Sequence, residues 1–241
     1  MANLASIAML AEQDGLLLVD KPVQIASHDV LKAVKTRFNL VKIGHGGTLE
    51  PNATGLLVLL VGDATRVSGD VMDGDREYSA TIRLGRVTDT ADREGRTLSE
   101  SPFDGVTREA LEAALPEFRG DIFQTPPAFS VMKRPDTPSY GIVPTGPADA
   151  KVRLVHVFRL AVTEFAPPLV SFDILCTKGV CVRALAHDLG EQLGCGASLE
   201  TLRRTRCGRF SVDEALGFMD VMKLDPVAFK DRLVPMARAF A

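Results

Sequence analysis

The run GHGGTLEPNATG, residues 44–55, sets one histidine and one carboxylate, His45 and Glu50, among four glycines and a proline, then enters the apolar run LLVLLVG. Three kinds of chemistry could use such a loop. Phosphate cradling calls for GxxxxGK[ST] or GxGxxG opening a helix, and neither spacing is present. A metal centre needs more ligands close by than one His and one Glu five residues apart. A catalytic carboxylate on a tight loop fits better, because glycines let a large flat substrate approach the backbone. A fourth reading contains no chemistry: a strand-connecting turn that happens to carry a Glu.

The elements on either side must hold this loop in place. Leu16 to Val19 reads as a short buried strand ending at Asp20-Lys21-Pro22. Ser27 is placed to cap a helix running to Phe38, with Val30, Leu31, Val34 and Phe38 on one face. The unbroken apolar run Leu56 to Val61 predicts a buried strand, and Asp63 a cap for the next helix. REYSATIRLG, residues 76–85, alternates as a strand does and leads into a polar turn region, VTDTADREGR. Thr107 to Leu115 reads as a short amphipathic helix, and Arg183 to Leu193 as another, ended by Gly194. VRLVHVFRLAVTEF and LVSFDILCT predict two long antiparallel strands joined at Ala166-Pro167-Pro168. Residues 124–150 hold six prolines and form a long irregular excursion, the kind that is usually functional or disordered. Strands with inserted helices and no βαβ repeat predict an α+β fold with a mixed, largely antiparallel sheet and flanking helices.

At 241 residues, one large domain or two fused subdomains both fit. The N-terminal apolar stretch lacks a basic n-region and is too short to span a bilayer, and no other stretch approaches that length. The four cysteines are unevenly spaced without CxxC pairs, which predicts reduced thiols, no zinc site and a cytoplasmic setting. A net charge of −3 hides local clustering. Residues 31–49 carry Lys32, Lys35, Arg37 and Lys42 with no acid, and residues 201–210 carry four arginines with no acid. These are either solvated faces or a polyanion-binding surface.

The loop GHGGTLEPNATGLLVLLVGDATR resembles the signature of the TruB-type tRNA pseudouridine-55 synthases, roughly GH-[TG]-G-x-L-D-P-x-A-x-G. GLLLVDKPVQIASHDVLKAVK is similar to the family's KP element, and REYSATIRLGRVTDTADREGR to its tyrosine strand and TDTxDxxG segment. QTPPAFSVMK resembles the stretch that opens its substrate-gripping loop, and CTKGVCVRALAHDLGEQLGCGASLETLRRTRCGRFSVDEA its KG-x-[YF]-[IV]-R helix and LRR strand. Together these motifs cover about residues 14–236 in order.

The resemblance implies a single pseudouridine synthase catalytic domain over residues 1–241, with 124–150 as an RNA-gripping excursion. It implies isomerisation of a T-arm uridine of tRNA, with the base flipped into a carboxylate-containing pocket and no cofactor or metal. It further implies a monomer whose partner is the T-arm stem-loop, with no membrane association. Residue by residue, Glu50 matches the catalytic carboxylate and Arg183 the arginine that pairs with it. His45 matches the histidine near the flipped nucleotide, Tyr78 the tyrosine that stacks on the target base, and Leu202 an apolar pocket residue. Lys21 and Lys178 match pocket-rim positions, where a phosphate contact and a structural contact are both open.

The chain departs from the family pattern in places. Glu50 stands where the family has Asp, and its extra methylene extends the carboxylate's reach by ~1.5 Å, where a ~1 Å misplacement can cost about 10²-fold in rate. Cys181 replaces a Tyr or Phe on the pocket wall, and Phe129 a commoner tyrosine. The chain ends at Ala241, without room for the PUA module of longer members. The Glu50 and Cys181 departures define the alternative: a catalytically weak or inactive tRNA-binding and folding protein of the same fold.

Overall fold

The computed structural model describes residues 14–125, 129–130, 143–144 and 152–239. In chain order its elements are β1 (Gly15–Lys21), α1 (Ser27–Arg37), β2 (Ile43–His45), β3 (Ala53–Val61), α2 (Ser68–Asp73), β4 (Arg76–Leu84), β5 (Arg86–Thr88), β6 (Thr97–Glu100), α3 (Arg108–Ala114) and β7 (Gly120–Gln124). There follow β8 (Phe129–Ser130), β9 (Val143–Pro144), β10 (Arg153–Ala166), β11 (Leu169–Cys176), α4 (Val182–Gln192), β12 (Ala197–Cys207), β13 (Phe210–Ser211), β14 (Leu216–Gly217), α5 (Phe218–Val221) and α6 (Pro226–Asp231). The fold is α+β, as the pattern predicts, with β1 and β14 parallel and its long hairpins antiparallel. The chain divides into two compact units, Met1–Arg76 with Arg203–Ala241, and Glu77–Leu202.

In the first unit β1 and β3 pair antiparallel from Gly15↔Val61 to Lys21↔Gly55. This register puts Leu16 and Leu18 with Leu56, Val58 and Leu60 in one core, joined by Val71, Cys207 and Phe210. Leu17, Val19, Leu57 and Leu59, which point the other way, are equally buried. A strand covered on both faces has no reason to alternate, which accounts for the continuous apolar run. β2 adds to β3, placing His45 opposite Leu59 at the mouth of the glycine loop. Helix α1 buries Val30 and Val34, and Phe38 beyond its end stacks on Phe229 of α6 at 3.9 Å between centroids. Two expected caps are absent. Ala26, not Ser27, occupies the N-cap position of α1, and Val61 precedes the 3₁₀ turn Gly62–Val67 where Asp63 was expected to cap.

The second unit carries the sheet order β4-β11-β10-β7. β10 and β11 form the expected antiparallel hairpin across Pro167-Pro168, whose peptide bond is cis. Ala80, Ile82 and Leu84 of β4, Val170, Phe172 and Ile174 of β11, and Leu185 and Leu189 of α4 share one core with Leu111 and Leu115. Thr107 caps α3, its hydroxyl accepting from the Ala110 N–H. Within the proline-rich stretch the backbone of β8 pairs with β9, Phe129 opposite Pro144. The expectation of an irregular, RNA-gripping excursion over 124–150 falls mostly on residues outside those described.

Candidate active site

The loop carrying Glu50 is held by side chains at nearly every carbonyl it presents. Arg76 donates through Nη2 to Gly46 O at 3.3 Å. Arg204 donates to Gly47 O at 3.1 Å and Thr48 O at 3.4 Å, and through Nε to Leu56 O at 2.8 Å. Ser27 Oγ donates to Leu49 O at 2.9 Å and accepts from Leu49 N at 2.8 Å, which is where the hydroxyl expected to cap α1 has gone. Glu50 O accepts from Ala53 N, and Pro51 O from both Gln24 N and Lys21 Nζ. Buried peptide groups need partners, and a loop with so little side chain of its own must borrow them. The half-buried Glu50 side chain therefore leaves a backbone fixed on both sides.

Glycine is required here for a definite reason. Gly55 has φ +97°, and a Cβ on it would run into the backbone of Arg204. The close approach that lets Arg204 reach Leu56 O thus excludes any side chain at position 55.

Lys21 bears on a choice that the sequence leaves open. It is fully buried, and its ammonium donates to Pro22 O, Ile25 O and Pro51 O at 2.9, 2.8 and 3.2 Å. An ammonium with three N–H groups aimed at three carbonyls has none left for a substrate phosphate. Of the two roles open at the sequence level, Lys21 takes the structural one: it fastens the Lys-Pro turn to the residue after Glu50. Burial, and then the nearby Arg204 charge, pull its pKa down to about 8. His45 is pulled below its ordinary value by burial first, then by Arg204 and His28. Its Nδ1 accepts from the Gly47 N–H at 3.4 Å.

The second unit holds the other predicted residues. Arg183 lies in the first turn of α4, buried, donating through Nη1 to Thr90 O at 2.8 Å with Asp92 Oδ2 at 3.8 Å. The other Asp92 oxygen accepts from Thr90 Oγ1 at 2.6 Å and Glu94 N at 3.0 Å. Ala91 between them adopts φ +58°, uncommon for a residue with a Cβ, and is held by bonds from Ala91 N to Thr88 O and from Leu199 N to Ala91 O. Tyr78 and Leu202 are half-buried against the same core. Cys181 is half-buried at the N-cap of α4, and Lys178 is exposed. The structure thus places His45 and Glu50 on one loop of the first unit with Lys21 of β1 bonded to it, and Tyr78, Leu202, Cys181 and Arg183 around α4 and its core in the second.

Sequence reasoning missed Arg76, Arg204, Asp92 and Gln124 as residues of this machinery. Asp92 sits in the TDTxDxxG segment, which was the available signal. Arg204 belongs to the basic cluster of residues 201–210, and the structure thins the two basic clusters considerably. Arg204 is buried, Arg203 forms a two-pronged ion pair with Asp20 at 2.9 and 2.7 Å, and Arg37 binds the carbonyls of Met222 and Leu224. Lys32, Lys35, Lys42, Arg206 and Arg209 are the exposed remainder.

Two family models match end to end. "TruB family pseudouridylate synthase (N terminal domain)" covers residues 35–182, and "tRNA pseudouridylate synthase B C-terminal domain" covers 183–241. The tRNA pseudouridine synthase B of Opitutus terrae is 42% identical over 229 residues, 95% of each chain. That of Chromobacterium violaceum is 44% identical over 223 residues, 92% of this chain and 72% of its own. Among solved structures, a Cbf5-Nop10-Gar1 complex matches with TM-score 0.75 and 27% identity over 97% of this chain. This chain spans 63% of that one's length.

Proposed function

We propose, since this chain belongs to the TruB family of pseudouridylate synthases and isomerises uridine to pseudouridine in tRNA, that its target is a uridine of the T-arm loop and that Glu50 is the reacting carboxylate. The reaction conserves atoms: the bond from ribose to N1 of uracil breaks, one to C5 forms, C5 loses a proton and N1 gains one. No electrons enter or leave, so a redox cofactor has no step to serve. The protein must instead flip the base, hold it while it is detached, and supply a carboxylate that adds to the ring or assists at the ribose.

One observation carries the assignment of Glu50. Its loop is secured at Gly46, Gly47, Thr48, Leu49 and Pro51 by Arg76, Arg204, Ser27 and Lys21, while its own side chain serves none of those bonds. A turn that merely joined two strands would not need four buried polar side chains to fix it. In this reading Arg183 is the arginine that the resemblance pairs with the catalytic carboxylate, Tyr78 stacks on the flipped base, Leu202 and Cys181 are pocket-lining residues, and His45 is the histidine beside the nucleotide. Lys178 is exposed, at a position that the resemblance puts on the pocket rim. The protein works as a monomer in the cytoplasm; no helix among the described residues is long and apolar enough to cross a membrane.

Single-turnover assays on unmodified tRNA test this. Glu50→Ala should abolish product while leaving tRNA affinity within a few-fold. Glu50→Asp should slow the reaction, because a loop held at so many carbonyls has settled around the longer side chain. A wild-type rate in Glu50→Ala would remove Glu50 from the chemistry. The non-catalytic alternative would be favoured by an inactive wild type that gains activity in Glu50→Asp.

A further inference from the structure

We infer that Gln124 is a positioning residue for Arg183, tying the first turn of α4 to the point where the proline-rich excursion leaves and rejoins the sheet. This rests on the role given to Arg183 above.

Gln124 is the last residue of β7 and is 2% exposed. Both ends of its side-chain amide bind one residue: Oε1 accepts from Cys181 N at 2.9 Å, and Nε2 donates to Cys181 O at 3.2 Å. Cys181 is the N-cap of α4, and no side chain caps this helix in the usual way. Its carbonyl also accepts the first helical bond, from Leu185 N. The Gln124 amide therefore sets where α4 begins, and Arg183 leaves the backbone two residues later. The head of Arg183 is held independently by Thr90 O and Asp92. Its root and its head are thus fixed from different elements.

The residue type is specific. Satisfying an N–H and a carbonyl of the same residue requires one acceptor and one donor in a planar fork, which a primary amide supplies. An ionised Glu only accepts and would face the Cys181 carbonyl, and Met does neither. The location is equally specific. Gln124 pairs directly with Arg153 in the β7–β10 ladder, so the chain leaves the sheet at Gln124 and returns opposite it.

The test uses the full chain, unmodified tRNA, and four proteins: wild type, Gln124→Met, Arg183→Lys and the double variant. Gln124→Met should lower the single-turnover rate by ~10- to 100-fold, the range expected from displacing a reacting-site group by up to ~1 Å, with tRNA affinity little changed. In the Arg183→Lys background the same substitution should have far less effect on rate, because the two act as one unit. Equal losses in both backgrounds, or a wild-type rate in folded Gln124→Met, overturn the inference and leave the Arg183 reading intact. A wild-type rate in Arg183→Lys overturns both. If Gln124→Met does not fold, the isosteric Gln124→Glu replaces it. Its rate relative to wild type should recover as pH falls and the carboxyl regains an O–H donor, and a flat ratio overturns the inference.

Discussion

Replacing Arg204 with lysine should loosen the Glu50 loop and slow the reaction by a calculable amount. The guanidinium reaches Leu56 O at 2.8 Å and Gly47 O at 3.1 Å, with a weaker contact to Thr48 O at 3.4 Å. A hydrogen bond from a charged donor contributes about 1.5–3 kcal/mol, so the two shorter bonds together contribute about 3–6 kcal/mol. Arg204 reaches Leu56 O through Nε and Gly47 O through Nη2, two positions that a lysine replaces with a single nitrogen, so the substitution should lose about one of these two bonds. Arg204→Lys should therefore destabilise the protein by about 1.5–3 kcal/mol, shifting the urea midpoint down by about 1 M if the slope is about 2 kcal/mol per M. Because Gly47 and Thr48 lead directly into Glu50, the single-turnover rate should fall with it, by up to ~100-fold for a ~1 Å drift of the carboxylate. Equilibrium urea unfolding and single-turnover assays on the same preparation read both quantities. An unchanged midpoint with an unchanged rate would refute the idea that buried cations position this loop.

Lys21→Met should cost about 3–5 kcal/mol by stranding three carbonyls that a buried ammonium now satisfies, and thermal unfolding reads it directly. An unaltered Tm would mean that these carbonyls find other partners. Gly55→Ala should lose at least about 1–3 kcal/mol, since it combines a φ of +97° with a clash against Arg204 backbone; soluble, wild-type-like protein would count against that packing. His45 should make stability fall with acid. Its folded pKa lies below the ordinary value while the unfolded chain titrates near ~6.5, so the unfolded state binds more protons and stability declines as pH drops below ~6.5. His45→Asn should flatten that part of the profile, and an identical slope in the variant would contradict a lowered His45 pKa as its source.

Much of the scaffold was legible because its signals are local. The unbroken run at 56–61 gave the core of β3, and the Pro167-Pro168 pair between two alternating segments gave the β10–β11 hairpin. Ser27 shows how a local signal misleads: a serine before an apolar-periodic stretch reads as a cap, yet its hydroxyl binds Leu49, 22 residues away. The cations were harder still. Nothing in the spacing of Lys21, Arg76 or Arg204 separates a buried clamp from a solvated charge, because the deciding partners are carbonyls elsewhere in the chain, up to 157 residues away for Arg204 and Gly47. Charge counting therefore grouped Arg204 with solvent-exposed cations, whereas it is buried. The candidate catalytic residues came from the ordered series of motifs; periodicity alone would have left Glu50 as an incidental residue in a turn.

The central claim is that Glu50, on its clamped loop, isomerises one uridine of the T-arm. The most direct measurement is chemical mapping of pseudouridine, nucleotide by nucleotide, in an unmodified T-arm stem-loop incubated with wild type or with Glu50→Ala. The account predicts one modified uridine in the loop with wild type and none with Glu50→Ala. Modification by both proteins alike, or no modification by wild type, would contradict it.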